Sequence, residues 1–317
     1  MTKDYVVGID IGGQSVKMGV IDRRANFVAR KSFSMAGYGA DDTVRFLDDV
    51  CKYIVELTAN VGLDSIQGVG IGAPDGNYYD GTIVDAVNLP WAKGKIVPLR
   101  DHISGKLGLN VTVTNDANAA AIGEMTYGNA IGMKNFIEIT LGTGVGSGIV
   151  VDGKLVYGHD GFAGELGHTT AVRYNGRKCG CGKTGCLETY ASSGGVCQTA
   201  REMLEASNEP SVLRQLETIT SKCVFEAAVA GDKIAINVFE YTGRILGEKF
   251  ADFIAFSAPE AIIIFGGVSN AGDLLLNPTK KAMEENVVGL WKGKVKVLRS
   301  GLPESDAAIL GAGALAW

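Results

Sequence analysis

YVVGIDIGGQSVKMGVID, from Tyr5 to Asp22, is an apolar run, a glycine turn and a second run in which Val16, Met18 and Val20 recur at every other position. That spacing is the mark of a strand with one face buried, so the stretch predicts a β-hairpin with polar residues at its tip. The same grammar returns about 130 residues later in FIEITLGTGVGSGIVVDGKL, Phe136 to Leu155: apolar strand, GTG turn, apolar strand. The second copy superficially matches the G-x-G-x-x-G dinucleotide fingerprint, but that fingerprint opens a helix, whereas IVVDGKL reads as strand. A nicotinamide-type site is therefore excluded, and a hairpin used twice predicts two related α/β halves.

Between the hairpins, Asp42 to Asn60 reads as an amphipathic helix with Val44, Leu47, Val50, Cys51, Ile54 and Leu57 on one face. GVGIGAP and NVTVTND follow as buried strands. Beyond the second hairpin the chain turns helical at Ser193 to Glu205, in parts of Ser211 to Ala230, and from Lys233 to about Ser257. AIIIFGGVS is a last buried strand ending in glycines, and ESDAAILGAGALA a closing helix of small residues. No Pro-, Ser- or Gly-rich linker intervenes, so the expected lobes share a central cleft. They are residues 1–115, a larger lobe 116–302, and a C-terminal helix 303–317 packing back on the first lobe.

Composition narrows the function. Of 317 residues 46% are hydrophobic and 44 are glycine, which suits a compact α/β enzyme with many tight turns. The net charge of -5, without a run of like charges, offers no field for nucleic acid. MTKDYVVGIDIGG goes straight into a strand with no signal-like core, which predicts a cytoplasmic protein. The longest apolar segment, APEAIIIFGGV, is shorter than the roughly 20 residues that cross a bilayer, so no membrane partner is expected.

In DIGGQSVK, Asp10 can stand near Mg²⁺, while the amides of Gly12, Gly13 and Gln14 and the ammonium of Lys17 can approach phosphate oxygens. A plain hairpin turn explains the same glycines. Two such tips, the second at Gly142, Thr143 and Gly144, can enclose a polyphosphate, and FGGVS adds Gly266 and Gly267, where a flat base can lie on backbone. In VTNDANAAA, Asn115 and Asp116 fall where a strand gives way to a helix; an N-cap explains them, and so does a carboxylate placed to accept a hydroxyl proton. Finally, GHTTAVRYNGRKCGCGKTGCLE puts Cys179, Cys181 and Cys186 within eight residues, with His168 upstream. One imidazole and three thiolates suit tetrahedral Zn²⁺, and four protein ligands leave no open position, so the expected role is structural. The plainer alternative is a glycine-rich turn with idle thiols. Glu165 and Glu188 flank the set and would be fixed by it.

With GELGH and CGCGKTGCLE added to the hairpins, the whole chain resembles the ROK family of bacterial sugar kinases, most of all its glucokinases, within the actin-like/ribonuclease-H-like ATPase superfamily. The resemblance implies ATP, Mg²⁺ and structural Zn²⁺ as cofactors, a homodimer or homotetramer, and glucose as the sugar. It makes Asp116 the general base and matches Asn115, Glu165, His168 and Glu188 to residues that bind sugar hydroxyls, with Ala73, Pro74 and Asn88 also approaching the sugar. Gly12, Gly13, Gln14, Lys17, Gly142, Thr143, Gly144, Gly266 and Gly267 fall on its nucleotide turns. This chain departs from the family in having Gln14 where threonine is usual and Asp75 where glycine is common. Family repressors carry a DNA-binding segment ahead of the first hairpin, whereas here the strand begins at Tyr5, which weighs against a regulator. Rival readings are a kinase for N-acetylglucosamine, N-acetylmannosamine, mannose, fructose or allose, a polyphosphate-dependent kinase, and a non-catalytic sugar sensor.

Overall fold

A computed structural model describes residues 3–303 and 306–317; Met1 and Thr2 of the opening segment and Glu304 and Ser305 of the closing one lie outside the described residues. The chain divides into unit 1, Met1–Gly132 with Leu155–Gly164 and Gly301–Trp317, and unit 2, Met133–Lys154 with Glu165–Ser300. The expected boundary after residue 115 is thus corrected. Residues 116–132 belong to unit 1, because the helix they form packs on that unit's sheet and on the last helix of the chain.

Unit 1 runs β1 (Tyr5–Ile11), β2 (Ser15–Asp22), β3 (Phe27–Ser34), α1 (Thr43–Leu57), β4 (Ile66–Gly72), a small pair β5 (Ile83–Val84) and β6 (Ile96–Val97), α2 (Leu99–Leu107), β7 (Val111–Thr114) and α3 (Asp116–Tyr127). Unit 2 holds β8 (Phe136–Leu141), β9 (Val145–Val151), β10 (Lys154–Leu155), α4 (Glu188–Ala191), α5 (Ser193–Ala206), α6 (Ser221–Val229), α7 (Lys233–Ser257), β11 (Ala261–Phe265), α8 (Asp273–Asn286) and β12 (Lys296–Arg299). The chain then returns to unit 1 as α9 (Ala307–Ala314).

The two main sheets have the order β3-β2-β1-β4-β7 and β10-β9-β8-β11-β12. In each, the hairpin is antiparallel, β1 with β2 and β8 with β9, and its first strand pairs in parallel with a later one, β4 or β11. The repeated hairpin in the sequence is therefore a repeated sheet. β9 follows the GTG tip as a strand, as the rejection of a dinucleotide fold requires.

One face of the unit 1 sheet is covered by α1, which has no side-chain cap at Asp42. A missing cap costs about 1 kcal/mol. Phe46, Leu47, Val50, Cys51, Ile54 and Leu57 are all buried, and a large apolar side chain contributes about 1.5–3 kcal/mol, so burial decides that this segment is helix. Val44, expected on that face, is 64% exposed: it lies in the first turn at the edge of the stripe, and Phe46 fills the core instead, stacked on Trp91 at 3.9 Å.

α9 covers the opposite face, and only small residues permit its approach. A Cβ on Gly70 would lie 1.8 Å from Ala312 O, and one on Gly311 would lie 2.3 Å from Ala119 O in α3. In unit 2, α7 and α8 approach by the same device, a Cβ on Gly247 meeting Thr279 O at 2.3 Å. No described helix is long and apolar enough to cross a membrane.

Candidate active site

In unit 1 the chemistry gathers at the ends of β1, β4 and β7. Asp10 is the penultimate residue of β1 and sits opposite Lys17 in the hairpin register. At the tip the Gly12 amide donates to Ser15 O (3.0 Å), so that amide closes the turn. A Cβ on Gly13 would lie 3.2 Å from Asn88 O, a tight contact that brings Asn88 against the same tip. Ala73 is buried beyond β4 and its amide donates to Thr114 O at the end of β7 (3.0 Å); Pro74 and Asp75 continue that turn, Asp75 with φ of 52°.

Asn115 is the N-cap of α3, its Oδ1 accepting from Ala117 N at 2.9 Å, so the plain capping explanation holds for that side chain. Asp116 is the first helical residue, and its Oδ1 accepts from the same amide at 2.8 Å, where the positive end of the helix also favours a carboxylate. The Asp116 carboxyl remains accessible to solvent yet crowded by protein. Desolvation pushes its pKa up, opposed by the backbone hydrogen bonds. Asp10 is raised to about 6, first by burial, then by the charge of Asp116, with Lys17 pulling the other way. Burial and the charges of Asp116 and Asp85 likewise raise Asp75. Burial raises all three carboxyls, with the Asp116 charge adding to it at Asp10 and Asp75, and such a group suits proton acceptance and cation binding.

In unit 2 the four predicted metal ligands converge: one ligand atom from each of His168, Cys179, Cys181 and Cys186 lies within 4.8 Å of the others. Cys179 Sγ is 3.7 Å from His168 Nδ1, and Cys181 Sγ is 3.7 Å from Cys186 Sγ. A tetrahedron with Zn–S bonds of about 2.3 Å has S···S edges of about 3.8 Å, so the donor set fits zinc in both chemistry and size. Burial pushes the Cys179 thiol up to about 12 and raises Cys186, while the Lys183 amide lowers Cys181; a cation is what would turn all three into thiolates. The knuckle depends on Gly185, at φ of 80°, where a Cβ would lie 1.8 Å from Val172 O.

His168 Nε2 faces the other way, 3.9 Å from Glu165 Oε2. Gly167 lets this segment lie on β9, a Cβ there meeting Val145 O at 2.0 Å. Glu188 opens α4 and joins two features: its Oε2 accepts from Val145 N at 3.1 Å beside the GTG tip, and Cys179 Sγ approaches its Oε1 at 3.6 Å. Gly144 is small because a Cβ would lie 2.6 Å from that Oε2. Gly266, at φ of 97°, crosses Leu141 O closely enough that a Cβ would lie 2.6 Å away, and Gly267 begins a short 3₁₀ turn.

Sequence reasoning missed a cavity of about 470 Å³ within unit 2, lined by Thr143 and Glu188, by Ser192, Gly194 and Gly195 at the start of α5, and by Arg177 and Lys178 ahead of Cys179. The signal was present in SSGG: Ser192 caps α5 through Gly195 N at 3.1 Å, and glycines in a first turn leave helix amides open to an anion. Gly142 O ties the tip to this helix by accepting from Ser193 N (2.8 Å).

Comparison with known proteins agrees with this geometry. The sequence model of the ROK family matches residues 6–317. The glucokinase of Halalkalibacterium halodurans is 38% identical over 290 residues, 90% of this chain and 86% of the relative. That of Streptomyces coelicolor is 36% identical over 318 residues, 98% and 96%. The crystal structure of a ROK family glucokinase from Streptomyces griseus, in complex with glucose and AMPPNP, superposes with a TM-score of 0.80 at 33% identity, covering 98% of each chain. The present chain, with its two related sheets and its Cys₃His cluster, belongs to the ROK family.

Proposed function

We propose that the chain is an ATP-dependent glucokinase that transfers the γ-phosphoryl group of ATP to the 6-hydroxyl of glucose. The observation that carries this reading is Asp116 itself, a carboxylate of raised pKa at the end of β7 in a chain 33% identical to a glucokinase that binds glucose and AMPPNP. Asn115, Glu165, His168 and Glu188 bind sugar hydroxyls, and Ala73, Pro74 and Asn88 border the sugar. Gly13, Gln14 and Lys17 of the first tip, Gly142, Thr143 and Gly144 of the second, and Gly266 and Gly267 hold the nucleotide, with Gly12 shaping its turn. The cavity beside Thr143 and the start of α5 takes part of the donor.

As the sugar oxygen attacks the γ-phosphorus in line, Asp116 accepts its proton and ADP leaves. Asp10 would hold Mg²⁺, directly or through water, and the ion would supply neutralisation of phosphate charge. His168, Cys179, Cys181 and Cys186 would hold Zn²⁺, which supplies rigidity to the segments carrying Glu165 and Glu188.

Sugar-dependent ADP release with ATP and Mg²⁺ tests the reading across glucose, N-acetylglucosamine, N-acetylmannosamine, mannose, fructose and allose. Glucose should give the highest kcat/KM. Asp116→Asn should lower kcat by about 10²–10⁴ while glucose affinity stays within a fewfold. No release with any sugar from folded, metal-loaded protein would overturn the kinase; near-normal turnover of the variant would remove Asp116 from the role of base.

A further inference from the structure

Arg177 is two residues ahead of the first cysteine ligand, yet most of its bonds run away from the metal set. Its backbone carbonyl accepts from Gly185 N (2.8 Å) inside the knuckle, and its amide donates to the Tyr190 hydroxyl (2.9 Å). The guanidinium lies 4.5 Å from the centre of the Tyr190 ring. It donates to Thr189 O (2.7 Å) at the end of the segment that carries Glu188, and to Gly195 O (3.1 Å) and Thr199 Oγ1 (2.8 Å) in the first turns of α5. Glu202, one turn further along α5, closes the fork on Arg177 Nε at 3.0 Å and Nη2 at 2.5 Å. Only 13% of the arginine side chain is exposed, so the bonds to Thr189, Gly195 and Thr199 are partly shielded and directional, while the Glu202 end opens to solvent.

The start of α5 that this fork grips is also a wall of the cavity beside Thr143, which Arg177 itself lines, its guanidinium spent on Thr189, Gly195, Thr199 and Glu202. Gly195 is held there closely, a Cβ on it meeting Tyr190 backbone at 2.7 Å. The knuckle, α4 and the first turn of α5 are therefore tied at one side chain, and whatever orders the knuckle orders that wall.

We propose that Arg177 is a positioning residue that transmits metal loading of the Cys₃His knuckle to the nucleotide pocket, so that the metal governs affinity for the phosphoryl donor as well as the geometry of the sugar side. The inference rests on the kinase reading above for the identity of the pocket's occupant. Lysine keeps the charge at this position but presents a single ammonium, which cannot span Thr189 O, Gly195 O, Thr199 and Glu202 together.

The test is titration of the full-length protein with a fluorescent ADP analogue, N-methylanthraniloyl-ADP, in four states: wild type and Arg177→Lys, each zinc-loaded and chelated. Zinc content is measured by mass spectrometry and glucose affinity by calorimetry. In the loaded state Arg177→Lys should keep one zinc per chain and glucose affinity within twofold, while analogue affinity falls five- to twentyfold and KM for ATP rises without a matching loss of kcat. Chelation should weaken the analogue strongly in wild type and little further in Arg177→Lys, because both changes cut the same connection. Glu202→Gln, an exposed and milder change, should give a two- to fivefold loss in the same direction. Independent, additive effects of chelation and Arg177→Lys would overturn the proposal, as would unchanged analogue affinity in the loaded variants, or equal losses of glucose and analogue affinity. Wild type that binds no analogue would overturn this inference and the kinase reading together; wild type that binds it while both variants match it would overturn this inference alone.

Discussion

Asp10 is held in a state that folding alone would not choose. Burial and the neighbouring Asp116 charge raise its pKa from 3.8 to about 6, so above pH 6 the folded protein carries a carboxylate that the unfolded chain would ionise more easily. A folded pKa above the unfolded one means that the native state binds more protons between the two values. Stability thus rises as pH falls through about 6 and is lowest above it. Asp10→Asn should therefore be more stable than wild type at pH 8, on the order of 1–3 kcal/mol, with the gain fading towards pH 4. Denaturant melts at several pH values check this, and a constant difference across the range would show that the charge is not its source. On the proposed reading, in which Asp10 would hold the cation beside the phosphates, the same variant should lose activity at every pH. If Asp116 is the base we propose, it must be unprotonated to accept a proton, so kcat/KM should decline as pH falls, at a pH above that of a free carboxylate.

At the scale of elements, the knuckle is the most exacting piece of backbone. Gly185 has a left-handed φ of 80° and no room for a side chain against Val172 O, while its amide donates to Arg177 O (2.8 Å). Gly185→Ala should displace the Cys186 side of the metal set and lower zinc content to well under one per chain, as elemental analysis would report; full occupancy would mean the knuckle adapts. This element was legible in the sequence because its constraint is local: eight residues carry the three thiols, and spacing alone brings them together. The hairpins were legible for the same reason. β3 was not read, although FVARKSFS alternates, because Lys31 and Arg30 hide the stripe. The start of α5 was read as helix from Ser193 but not as a pocket wall, because SSGG takes that role only once Arg177 reaches it from another segment.

Across the whole molecule, long-range packing decides what local pattern cannot. Nothing in DANAAAIGEMTY announces that α3 joins unit 1; its partner is α9, nearly two hundred residues later, and the link is a set of glycine-to-backbone approaches invisible to periodicity. Each unit has its own sheet and core, so damage should stay local. Gly70→Ala, which would drive a Cβ to 1.8 Å from Ala312 O, should destabilise unit 1 by about 2–4 kcal/mol while zinc stays bound in unit 2. Calorimetry combined with metal release would show the first transition moving and the second holding; a single shifted transition would mean the units unfold together.

The return of the chain to unit 1 after Ser300 also sets an order of manufacture. A ribosome delivers β1 to α3 early, but the helix that shields the second face of their sheet emerges only after every strand of unit 2. At about 5–20 residues per second, Val6 and Ile21, which pack on Ile309 and Leu310 in the finished protein, wait roughly 15–60 s without that cover. Unit 2, contiguous apart from one short excursion, has all its pieces first. The nascent chain therefore leaves an apolar face of its first sheet without its cover for most of its synthesis, and the last helix to be made is the one that closes it.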